Sequence, residues 1–104
     1  MNKGTIYHIS YVDATEQEPW GISTLRGCIA DAINGPSPLP LPLIVLVTQE
    51  QLDEIVGDLE KGSSDKLYGV PVRVCTGSVE ESVAAFDKEM YDFHARMKQA
   101  RVSV

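Results

Sequence analysis

The chain has 104 residues and a mass of 11.4 kDa, with 43% hydrophobic and 23% charged residues and 9 basic against 15 acidic side chains, a net charge of −6. A chain of this length buries roughly two thirds of its unfolded surface, enough for one core without staples, so a two-domain enzyme with an interdomain cleft is excluded and a single domain over 1–104 is expected. Near-average apolar content excludes a fully disordered chain, and the acid excess argues against nucleic acid as a partner, because phosphate-backbone binding needs clustered lysine and arginine.

In chain order, Thr5 to Val12 (TIYHISYV) is rich in β-branched and aromatic residues. A period of two there predicts one strand with Tyr7, Ile9 and Tyr11 on one face and Ile6, His8, Ser10 and Val12 on the other. Asp13 to Gly21 is polar, carries Pro19 and Trp20, and reads as a surface loop. From Ile22 the apolar residues Leu25, Ile29, Ala32 and Ile33 fall on one stripe of a helix. Asn34-Gly35 stops that helix, Gly35 being able to take the left-handed conformation common at helix ends, and Pro36 cannot continue it. Gly35 to Pro42 holds four of the six prolines and reads as a stiff, extended spacer.

Leu43 to Val47 is a continuous apolar run, the pattern of a strand covered on both faces. Thr48 and Gln51 form a capping box for a short helix whose stripe is Leu52, Ile55, Val56 and Leu59. Its remaining surface bears Glu50, Asp53, Glu54, Asp58 and Glu60, a locally negative face. After a turn at Lys61 to Lys66, Tyr68 to Cys75 alternates again, with Val70, Val72 and Val74 one way and Arg73 and Cys75 the other. Pro71 makes this either an edge strand or one whose ladder begins beyond the proline. Ser78 and Glu81 form a second capping box. It opens the longest element, where Val79, Val83, Phe86, Met90, Phe93, Met97 and Ala100 keep a heptad rhythm. Glu80 and Glu81 near its start and Arg96, Lys98 and Arg101 near its end complement the helix dipole.

Recognised chemistry is sparse. The sequence lacks a phosphate-cradling glycine loop and a nucleophile elbow, its histidines are His8 and His94 alone, and Cys28 and Cys75 stand 47 residues apart without metal-ligand spacing. No catalytic residue, cofactor or metal is therefore assigned, and the cysteines are expected to be reduced, buried thiols. The longest apolar run is five residues and no h-region follows Met1, so neither a membrane span nor a signal peptide is expected and the protein reads as cytoplasmic.

Leu43 to Val74, with LIVLVTQEQLDEIVGDLE followed by LYGVPVRV, resembles a pattern in small uncharacterised proteins of tailed bacteriophages and prophages. There an apolar strand, a short capped helix and a YGVPV strand follow one another. The resemblance covers about a third of the chain and brings no catalytic residues. It implies a phage-encoded accessory protein.

The element order implies an α/β domain, a three-stranded, mostly parallel or mixed sheet covered by helices, with a long amphipathic C-terminal helix. A helix over 79–100 runs about 33 Å, longer than a small sheet needs. Its stripe is thus either core throughout or in part a self-association surface, with Phe86, Met90, Phe93 and Met97 as knobs. The expected function is a non-enzymatic, homodimeric interaction protein that binds a protein partner through Trp20 and the acidic residues Glu50, Asp53, Glu54 and Asp58. The alternative is a small-molecule or anion-binding protein, or a small enzyme, with its site at Thr76, Gly77 and Ser78 before the last helix.

Overall fold

The computed structural model describes residues 2–60 and 65–102. Among them the chain forms β1 (Asn2–Ile6), β2 (Ile9–Asp13), α1 (Ile22–Asn34), β3 (Leu43–Val47) and α2 (Gln49–Ile55), the last extended by a 3-10 turn at Val56–Asp58. Then come β4 (Lys66–Leu67), β5 (Val70–Val74) and α3 (Val79–Val102). The strands lie in the order β1-β2-β3-β5-β4; β2, β3 and β5 are parallel, and the outer strands β1 and β4 are antiparallel to their neighbours. The expected mixed α/β sheet with a long C-terminal helix is present, but the sheet has five strands among the described residues, not three.

Both extra strands come from reversals without an Asn-Gly or Asp-Gly signature. Thr5 to Val12 is not one strand: the chain turns back at Tyr7 and His8, whose φ angles of 54° and 65° give the two left-handed residues of a tight hairpin. Tyr7 therefore sits in the turn and shares no face with Ile9 and Tyr11. Tyr68 and Gly69, at φ 54° and 75°, do the same between β4 and β5. A left-handed backbone costs a residue with a Cβ about 1–2 kcal/mol, and asparagine tolerates it best. Tyr7→Asn is accordingly expected to raise stability by about 0.5–1 kcal/mol, read as a higher urea midpoint at unchanged slope. A lower midpoint would mean that the tyrosine ring contributes more packing than the turn loses in strain.

The connections β2-α1-β3 and β3-α2-β5 step the same way across the sheet. With one crossover hand both helices must cover the same face. They do: Leu25, Ile29 and Ala32 of α1 and Ile55 of α2 bury against Val12, Val45, Val47 and Val72. The opposite face, Ile9, Ile44 and Leu46, is closed by Val83 and Phe86 of α3. All five residues of β3 are buried, as its unbroken apolar run requires. Pro71 is accommodated because the ladder between β3 and β5 begins at Val72, opposite Val45.

Two local expectations are corrected. Gly35 is extended, at φ −74°, and ends α1 for a steric reason: its N–H donates to the Asp31 carbonyl at 2.9 Å, and a Cβ there would collide with that same oxygen. Val56 is exposed because the backbone tightens into the 3-10 turn at that residue and turns it off the helical stripe, while Leu52, Ile55 and Leu59 still pack inward.

Candidate functional site

α3 begins at the carboxyl end of β5. There Ser78 Oγ accepts from the Glu81 N–H at 3.1 Å, and Ser82 Oγ accepts from the Thr76 N–H at 2.9 Å. The helix is seated by Val83 and Phe86, both buried, with half-buried Val79 and Met90 at the fringes. Arg73 of β5 holds its middle, the guanidinium lying 5.4 Å from the Phe86 ring centroid and its Nε donating to Glu89 at 3.5 Å. Both contacts are partly solvated and contribute modestly.

Beyond Met90 the environment of the stripe changes. Phe93 is 60% exposed and Tyr91 74%. The cause is length, since a five-residue strand is about 17 Å long and the 24-residue helix about 36 Å. Val79 to Met90 already spans about 16 Å, so α3 has crossed the sheet by Met90 and continues past its edge. Of the four expected assembly residues, Phe86 is core, Met90 lies at the boundary and Phe93 is exposed. Met97 and His94 lie outside the residues whose side chains are described.

The acidic residues Glu50, Asp53, Glu54 and Asp58 are all exposed. Between Ala14 and Glu60 the chain carries eight acids and one base, Arg26, so the negative charge of the molecule belongs to the loop and helices of the α1/α2 side. Trp20 is half-buried against that layer, and its indole N–H donates to Glu54 at 2.5 Å, which ties the loop to α2. Asp53 accepts from the Gln49 amide at 3.0 Å, and Asp58 stands 3.9 Å from Arg26.

Thr76, Gly77 and Ser78 are exposed at the carboxyl end of β5. Ser78 is engaged in capping, and the Glu81 carboxylate folds back over Gly77. The end of α3 that would attract an anion is thus already faced by a carboxylate of the same chain. Cys28 and Cys75 are free and half-buried, and Cys28 accepts from the Gln17 amide at 3.3 Å. Among the described residues no group of three histidine, cysteine or acidic side chains could hold a metal, and no helix is long and apolar enough to cross a membrane.

A third surface escapes the sequence reading. Tyr7 precedes β2, Leu41 precedes β3 and Tyr68 precedes β5, so all three stand on the rim at the amino-terminal ends of the parallel strands, exposed by 53%, 76% and 53%. Leu41 is presented rigidly, because buried Ser10 grips the backbone on either side of it. The Ser10 N–H donates to the Pro42 carbonyl at 2.9 Å and its hydroxyl to the Pro40 carbonyl at 2.5 Å. Leu39 packs on the core, Leu41 faces out and Leu43 is buried again, so the spacer does not keep the period of two by which residues two apart share a face of a regular strand.

Comparison of the chain with models of known families, with curated proteins and with solved structures gives no match.

Proposed function

We propose that this chain is a non-enzymatic interaction protein that acts as a homodimer assembled through the distal half of α3. The observation that carries the reading is the continuation of α3 for about 18 Å past Met90, along which Phe93 is 60% and Tyr91 74% exposed. Large exposed aromatics on a helix that has outrun its sheet suit burial against another chain. The acidic α1/α2 side is the surface for a further protein partner with a basic face, Trp20 and Glu54 forming its ordered centre. The resemblance of Leu43 to Val74 to small tailed-phage proteins supports an accessory role, in the cytoplasm of the host cell.

The test is absolute mass by light scattering across a concentration series, with Phe93→Glu beside the wild type. A wild-type dimer that Phe93→Glu separates into folded monomers is the expected result. A wild type that stays monomeric at the highest concentration defeats the reading.

A further inference from the structure

The rim and the distal half of α3 lie at the same end of the molecule. β5 hands the chain to α3 at the carboxyl ends of the parallel strands, and the helix returns along the sheet until Met90 joins the cluster that holds Ile6 and Ile9, the residues flanking the Tyr7 turn. From there α3 projects beyond the rim, so rim and helix form the floor and wall of an open corner. Tyr7, Leu41 and Tyr68 stand on the floor and Phe93 on the wall.

We infer that the distal α3 of a second copy lies across this rim, each copy's helix on the floor of the other, and that Tyr7, Leu41 and Tyr68 receive it. The inference rests on the proposed assembly through α3 and says where that helix docks. Three features favour a second copy as the occupant. Among the described residues the rim carries acids: α1 ends there with Asp31 and no base in its last turn, and Glu60 sits at the Tyr68 turn, accepting from the Gly69 N–H at 3.0 Å, beside Lys66. The distal helix is positive by sequence, with Arg96, Lys98 and Arg101 and no acid after Asp92, so a two-fold pair sets opposite charges together twice. Size agrees as well. A stable pair buries about 800 Å² on each partner, and one face of a projecting helix about 18 Å long and about 10 Å across offers less than that, so the rim adds the area that the helix lacks.

Both tyrosines also hold a backbone conformation that tyrosine disfavours. Their substitution by asparagine therefore relaxes the fold while it removes the proposed contact. The experiment compares the dimer dissociation constants of the full-length wild type, Tyr7→Asn/Tyr68→Asn, Leu41→Ser and Phe93→Glu by sedimentation, with thermal melts of each. The expected result is that both rim variants weaken the dimer by about tenfold or more while melting no lower than the wild-type monomer. A dimer that Phe93→Glu splits but both rim variants leave at wild-type affinity overturns the docking on the rim and keeps the assembly through α3. A monomeric wild type overturns both.

Discussion

Replacing Leu46 with alanine is expected to lower the unfolding free energy by about 3–5 kcal/mol, among the largest effects of a single substitution in this molecule. Leu46 is fully buried in β3 and packs in the layer of Ile9, Ile44, Val83 and Phe86 beneath α3. β3 is hydrogen-bonded to β2 on one side and β5 on the other, so its backbone cannot move to fill the space. α3 is seated by Val83 and Phe86, with Val79 and Met90 at the fringes, and that packing keeps it from closing the space. The lost carbon atoms therefore leave a cavity, and the cost adds the cavity term to the transfer term. Domains of this size are stable by about 5–15 kcal/mol in total, and 1 kcal/mol shifts the melting temperature by about 4–8 °C, so the loss is measurable by heat or by urea. A loss below about 1 kcal/mol would show that α3 does not seal that face of the sheet.

Gln51→Leu is expected to cost about 1–3 kcal/mol, a large penalty for a change that adds apolar bulk to a buried position. The side-chain oxygen of Gln51 accepts from the Thr48 N–H at 2.9 Å, completing the cap of α2, and its amide donates to the Ala14 carbonyl at 2.9 Å. One side chain thus satisfies a helix end and the chain leaving β2. Leucine leaves the Thr48 donor without its acceptor and removes one of the two donors to Ala14, whose carbonyl keeps the Gln17 N–H at 3.2 Å. Gln51→Glu separates the halves of the role: a carboxylate can still accept from Thr48 but presents an acceptor to Ala14. Chemical unfolding of the three proteins in parallel reads the difference, and equal midpoints for wild type and Gln51→Leu would show that water replaces both bonds.

Where side-chain periodicity is the cause of structure, the fold was legible. The unbroken run of β3, the stripe of α1, the stripe of α3 from Val79 to Met90 and the Thr48–Gln51 box all follow from spacing and capping chemistry, and each is present. The hairpins were not, because their turns rest on Tyr7, His8 and Tyr68 in left-handed conformations that local preference disfavours; pairing across the sheet imposes them. The two-residue β4 is too short to show a period. Of the candidate surfaces, the division of the α3 stripe after Met90 could be anticipated from helix length. The rim could not, because Tyr7 reads as part of a strand, Leu41 as part of a spacer and Tyr68 as the start of another strand, and only the sheet order gathers them at one end.

The two faces of the sheet are completed at different times during synthesis. α1 and α2 lie between the strands they cover, so one side closes as the chain lengthens. The other side waits for residues after Val79, and until they leave the ribosome Ile9, Ile44 and Leu46 stay open to any sticky surface nearby. A nascent chain halted after β5 carries all five described strands and still leaves the cluster of Ile9, Ile44 and Leu46 without its cover. Cellular yield should therefore respond to chaperone capacity more sharply for variants in Val83 and Phe86 than for variants in α1 that are equally destabilised at equilibrium.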